Sequence, residues 1–267
     1  MPRVAPAPPT GHVFMHRFYL PPEQCRGKSI CLDGREAHHA LHVLRLQRDA
    51  QVIVLDGDGH EFLCSVESKT KQLLTLSILD KKHTPPPQCP ITLLVAIPKG
   101  KLIESIIQKA VELGAQRIVP LQTARVIVQL DEDGAEAKCQ KWQEVAIEAI
   151  KQCGATWLPR VEVPQTIAKF LAGNHPMELA LVGSLQTVRK HPRAWFQEFQ
   201  QQNGRGPRSA GAWIGPEGDF TLGELQAIEA SGAKPITLGN LTLRVETAAI
   251  YCLSFLNYEL SGLNHGP

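Results

Sequence analysis

No segment of this chain is apolar for long enough to cross a bilayer, which takes about 20 consecutive residues in a helix. The longest apolar run, residues 91–97, has the length of a buried strand. The N-terminus has no hydrophobic stretch of the signal-peptide kind, so a cytoplasmic chain is expected. Its seven cysteines include no C-x-x-C pair, and an odd, unpatterned set fits reduced thiols better than disulfides or a zinc site. Net charge is scarce as well: +2 is too small to mark a nucleic-acid binder by itself. Seven of the ten histidines fall between His12 and His83, but that stretch has ten Lys/Arg against nine Asp/Glu. Any RNA surface there is a local patch. Neither G-x-G-x-x-G nor G-x-x-x-x-G-K-[ST] occurs, which disfavours a cofactor anchored by its phosphates.

What is present is a globular composition, 43% hydrophobic and 20% charged over 267 residues, enough for a small domain and a medium one. Residues 1–14 read as a disordered tail, with four prolines in the first ten positions. Residues 15–84 are expected to form a β-rich module. Alternation marks strands at 51–55, 61–66 and 73–79, Asp56-Gly57-Asp58-Gly59 marks a hairpin turn, and residues 35–44 suit one short helix. Residues 85–90, within T-P-P-P-Q-C-P, form a stiff linker. From residue 91 to 262 strands and helices alternate. Strands are predicted at 91–97, 117–121, 160–163, 178–182, 212–214 and 235–238, and helices at 101–113, 135–153, 165–171, 195–202, 221–230 and 246–260. Six strands alternating with helices imply an α/β fold around a mostly parallel sheet, covered on both faces.

Ligands of such sheets bind beyond the carboxyl ends of strands. Two strand-to-helix junctions there have unusual composition. I-G-P-E-G-D-F-T, residues 214–221, carries two glycines that let a ligand approach the backbone, and a proline that stiffens the turn. L-G-N-L-T-L-R-V-E-T-A, residues 238–248, is long for a plain connection. Together they suit a ligand held mainly by backbone groups, such as an adenosine.

These two loops resemble signature motifs of the SPOUT superfamily, specifically its small-subunit ribosomal RNA uridine-N3 methyltransferases (RsmE-type). M-H-R-F-Y-L from Met15, H-A-L-H-V-L-R-L-Q-R-D-A-Q-V-I-V-L-D-G-D-G from His39, P-K-G-K-L-I-E-S-I-I-Q-K-A-V-E-L-G-A from Pro98 and W-Q-E-V-A-I-E-A-I-K-Q-C-G from Trp142 carry the same likeness in the same order. The resemblance implies a trefoil-knotted, parallel-sheet methyltransferase domain preceded by a small PUA-like β-barrel that reads RNA. It further implies S-adenosyl-L-methionine as cofactor, ribosomal RNA of the small subunit as substrate, a homodimer with the active site near the subunit interface, and neither metal nor membrane. Carried over by motif, Gly215, Pro216, Glu217 and Gly218 form one cofactor loop and Leu238, Gly239, Leu241 and Leu243 another, with Val182 on a third side.

Three positions depart from the pattern. Asp219 stands where the family usually has a second glycine, Ala155 where an arginine usually follows the second helix, and Val245 where threonine is common. Lys151 and Arg160 are the cations near the missing arginine. For the chemistry, uracil N3 must lose a proton, and the developing negative charge calls for a cation. Arg244 is the candidate, with Glu246 orienting it and Arg125 gripping phosphate or base. Arg17, Arg45 and Arg48 are the RNA-binding candidates of the first module. His38 and His42 share a helix face without a third ligand at useful spacing and are taken as solvated or RNA-facing. Two other readings stand beside this one: a SPOUT ribose 2′-oxygen methyltransferase, which the segment from His39 argues against, and a non-catalytic RNA-binding protein that kept the fold.

Overall fold

A computed structural model describes residues 15–125, 131–186 and 188–264. The expected tail therefore lies outside the described residues for all of 1–14. Within the described residues the chain divides into two compact units, one made of the part up to His83 without 57–59, the other of 57–59 and everything from Thr84 on.

The first unit holds β1 (Arg17–Tyr19), β2 (Ser29–Leu32), β3 (Gln51–Leu55), β4 (His60–Lys69) and β5 (Leu74–His83). They form one sheet in the order β1-β3-β4-β5-β2, antiparallel except where β1 runs parallel to β3. Alternation gives the reason. Val52, Val54, Phe62, Cys64, Val66, Leu74 and Leu76 point to a common core that Phe18, Ile30 and Leu32 complete. Buried Asp56 starts the hairpin turn by accepting hydrogen bonds from the His60 N–H (3.0 Å) and pairing with His60 Nδ1 (2.7 Å). β5 runs four residues beyond the expected end at 79, because its backbone keeps pairing with β4 as far as His60 opposite His83 while its side chains turn to solvent. The expected single helix is α1 (Gly34–His38), which widens into a π-type turn over His39–Val43.

The second unit alternates β6 (Ile91–Ala96), α2 (Leu102–Glu112), β7 (Ala115–Gln122), α3 (Glu132–Cys153), β8 (Arg160–Val161), β9 (Gln165–Thr166), α4 (Ile167–Ala172), β10 (Leu179–Gly183), α5 (Pro192–Asn203), β11 (Ala210–Ile214), α6 (Leu222–Ala230), β12 (Lys234–Ile236) and α7 (Val245–Asn264). Every strand pair is parallel, in the order β12-β10-β11-β6-β7-β8, with β9 also on β7. The sheet is thus of the expected type, with one more strand than the pattern shows. β9 is two residues long and belongs to the segment that reads as helix alone. Helix α2 forms because Ile103, Ile106, Ile107, Ala110 and Val111 line one face, and it stops at Gly114, whose φ of +80° favours glycine. α2 packs on α7, and α7 on β6 and β11. The other face is buried by α4 and α6 through Ile167, Phe170, Leu225 and Ile228 against Leu94, Val182 and Trp213. Helices cover both faces of the sheet, and the loops at the strand ends are left as the expected place for a ligand.

Candidate functional site

Neighbouring strands β10, β11 and β12 end side by side, and the three loops that follow them enclose a cleft. Two of the loops are those singled out by composition.

The loop after β11 is shaped by backbone constraints. A Cβ on Gly215 would stand 3.2 Å from the Phe220 ring and 3.3 Å from its nitrogen, so a larger residue there would displace the buried Phe220. The Asp219 N–H donates to the Pro216 carbonyl (2.9 Å), closing a turn, and Asp219 then takes a φ of +62°. That left-handed conformation suits glycine best and is tolerated by Asp. The loop is anchored on its far side by Thr221 and Glu224. Their reciprocal capping box starts α6. The same Glu224 carboxylate also accepts from the Ala124 N–H at 2.8 Å, which ties the end of β7 to the start of α6. Arg125 is thereby placed to donate from Nη1 to the carbonyls of Gly218 and Asp219.

After β12, Thr237 Oγ1 accepts from the Gly239 N–H at 3.3 Å and donates to its carbonyl at 3.2 Å. Gly239 has a φ of +109°. Leu238, Leu241 and Leu243 then wall the cleft up to Val245 and Ala248 on α7. The third wall comes from the loop after β10, where Ser184, Leu185 and Arg189 face the cleft.

Of the residues expected in cofactor binding, Gly215, Pro216, Glu217, Leu238, Gly239, Leu241 and Leu243 line the cleft. Two do not. Val182 is fully buried in the core, because strand alternation turns it inward, and the wall is made by Gly183 and Ser184 after it. Gly218 presents its Cβ direction to Arg125 Cδ, 3.4 Å away, rather than to the cleft. Arg244 is exposed, one residue before α7, and Glu246 is half-buried in that helix's first turn. Neither lines the cleft, and no ion pair joins them among the described residues, so Glu246 does not orient Arg244 here. In the first unit Arg45 and Arg48 are exposed and Arg17 is half-buried on β1. The His38 and His42 rings lie 4.8 Å apart, and no cluster of three metal-ligating side chains occurs among the described residues.

Arg189 is a cleft residue that composition did not reveal. Its Nη1 donates to the Ser184 carbonyl at 3.2 Å, and the segment S-L-Q-T-V-R-K has nothing unusual to mark it. The charged lining consists of Glu217, Asp219 and Arg189, Ser184 and Thr242 add hydroxyls, and the rest is apolar side chain or glycine backbone. Such walls suit a flat heteroaromatic ring with polar edges and a neighbouring positive charge. They do not suit a phosphate, which needs converging cations or a glycine cradle. No cysteine lines the cleft, and burial pushes the Cys252 thiol up to about 12. Nucleophilic thiolate chemistry is therefore not what this cleft is built for.

A parallel α/β sheet with backbone-rich loops at the ends of three adjacent strands places a ligand site beyond the carboxyl ends of those strands. The comparisons give its class, an RNA methyltransferase. The RNA methyltransferase domain family matches residues 84–257, and the RNA methyltransferase PUA domain family matches residues 32–79. The chain is 30% identical over 233 residues to "Ribosomal RNA small subunit methyltransferase E" of Bacillus subtilis, covering 86% of this chain and 90% of that one. It is 31% identical over 251 residues to the protein of the same name in Synechocystis, covering 92% and 78%. Among solved structures, a "putative methyltransferase" of Legionella pneumophila "in complex with the bound cofactor SAM" superposes with a TM-score of 0.82 at 30% identity, covering 92% of this chain and 98% of that one. The chain belongs to the ribosomal RNA small subunit methyltransferase E family.

Proposed function

We propose that this protein transfers a methyl group from S-adenosylmethionine to N3 of one uridine in small-subunit ribosomal RNA, in the cytoplasm. The observation that carries the reading is the three-loop cleft at the ends of β10, β11 and β12. Its apolar walls, backbone groups and carboxylates fit an adenosine joined to a positively charged sulfonium. The ring would lie among Leu238, Leu241 and Leu243, with the backbone of Gly215 and Gly239 at its edges. Bound there, the sulfonium supplies an electrophilic methyl group. The chain's own task is to align the acceptor and to favour its anionic form. The uracil N3 proton leaves to solvent, and the N3 electron pair is then free for the methyl that a bound sulfonium would supply, its carbon–sulfur bond breaking to leave a neutral thioether. Arg244, exposed at the start of α7, stabilises the negative charge that develops on the base, helped by the positive end of that helix. Arg125 is first a strut for the Gly218 carbonyl, and its other donors serve the RNA phosphate.

Mass spectrometry of ribosomal RNA nucleosides from cells with and without the gene tests this. The expected loss is 3-methyluridine at one position of the small subunit. An unchanged 3-methyluridine content, or a lost ribose methylation, would overturn it. A narrower test is Gly239→Val, which forces a branched residue to a φ of +109°, a strain of about 1–3 kcal/mol. S-adenosylmethionine affinity by calorimetry is expected to fall at least tenfold with the fold retained; equal affinity would remove this loop from the site.

The trefoil knot and the homodimer belong to the same proposal. In α7, Ala249, Cys252, Leu253 and Leu256 are fully buried within the protein's own core, so these side chains serve the sheet and not a partner. Tyr258 (77% exposed) on α7, Leu241 (78%) on the cleft's rim and Val188 (93%) on the loop after β10 are left for a second copy. Light scattering at micromolar concentration should give twice 29.4 kDa. A stable, active monomer would rule the dimer out.

A further inference from the structure

Asp219 occupies a left-handed backbone position where glycine would be less strained, so its side chain must contribute something a glycine cannot. The structure shows what it contacts. One carboxylate oxygen, Oδ2, accepts from the Leu185 N–H (2.9 Å), Gln186 Nε2 (3.1 Å) and Ser184 Oγ (3.4 Å). The other, Oδ1, accepts from the N–H of Phe220 at 2.8 Å. Gln186 Nε2 reaches on to the Phe220 carbonyl (2.6 Å), and the Gln186 N–H donates to Ser184 Oγ (3.0 Å). Two walls of the cleft, the loop after β10 and the loop after β11, are thus joined through one carboxylate.

We propose that Asp219 is a positioning residue that latches residues 184–186 onto the loop after β11 and so fixes the width of the cleft before the cofactor arrives. The proposal rests on the cofactor reading above. A loop with S-L-Q composition and an exposed Leu185 has little apolar burial of its own to hold it. Charge-assisted bonds from a carboxylate do hold it, and Arg189 fastens the same segment from its other end through the Ser184 carbonyl. A wall fixed in advance spares the ligand the cost of ordering it.

The test compares the full-length protein with Asp219→Gly and Asp219→Asn by amide hydrogen exchange without ligand and by calorimetry with S-adenosylmethionine. Asp219→Gly relieves the backbone and removes the latch. Its melting temperature should hold or rise, the Leu185 amide should exchange at least tenfold faster, and the dissociation constant should rise about tenfold or more. Asp219→Asn keeps one acceptor oxygen and should fall between. If Asp219 merely caps the Phe220 N–H, Asp219→Gly will lower the melting temperature and leave both the Leu185 amide and the dissociation constant unchanged, and the latch is overturned. Wild-type protein that fails to bind S-adenosylmethionine would overturn the cofactor reading instead. The exchange of Leu185 would still report whether the carboxylate holds the loop.

Discussion

A chain that begins at Gln88 should bind S-adenosylmethionine as the whole protein does and leave small ribosomal subunits unmethylated. All three cleft loops lie within the retained part, so the ligand's contacts survive. What is removed is the five-stranded unit that bears Arg17, Arg45 and Arg48. A single uridine carries too little information to be chosen among many. Selection must come from RNA shape and phosphate positions read at a distance. The truncation also takes residues 57–59 from the catalytic unit. With them go the bonds from the Gly59 N–H to the Thr156 carbonyl (3.0 Å) and from the Leu158 N–H to the Gly57 carbonyl (2.9 Å). Each is worth about 1 kcal/mol, so some loss of melting temperature is expected. Full-length activity should fall steeply with added salt, as phosphate contacts require. Methylation of the same uridine at a comparable rate by the truncated chain would refute the RNA-reading role of the first unit.

Replacing Arg244 by alanine should reduce the rate of methyl transfer roughly 100-fold, the usual cost of losing one group that stabilises charge in a transition state. S-adenosylmethionine affinity should stay within a few fold, because Arg244 does not line the cleft. Single-turnover methylation of ribosomal subunits, set beside calorimetry, separates the two effects. A joint loss of rate and cofactor affinity would mean that Arg244 builds the pocket and does not act on the base. Glu246→Gln should change the rate far less, since no ion pair links it to Arg244 in this structure.

The parts of this site that could be read in the sequence are those where backbone geometry restricts residue type. Gly215 must be small because Phe220 lies against it, and Gly239 must be glycine for its positive φ, so both loops declared themselves by composition. The wall from Ser184 to Arg189 did not. Its place depends on Asp219, more than 30 residues away, and side chains that accept such distant bonds leave no local pattern. Arg125 was found as a cation near the site, but its bond to the Gly218 carbonyl follows from Glu224 reaching Ala124, which a capping box does not foretell. Val182 lies in the core and not on the cleft wall for a simpler reason. At a strand end, a shift of one residue exchanges core for cleft. The long helices and the hairpin were legible because each buries one periodic face. The two-residue strand β9 was not, because pairing with β7 and not a pattern of its own defines it.

The order of strands also has a consequence for how the protein is made. β6 is the first strand of its sheet to leave the ribosome, and it sits in the middle, between β7 and β11. Its β7 edge is paired within about 25 residues, but its other edge waits for β11, about 120 residues later. Contacts of such long sequence separation form slowly, and an unpaired strand edge invites wrong partners meanwhile. The cleft itself is completed late, because its walls join the loop after β10 to Ala248 on α7, so no ligand can be held until α7 has docked.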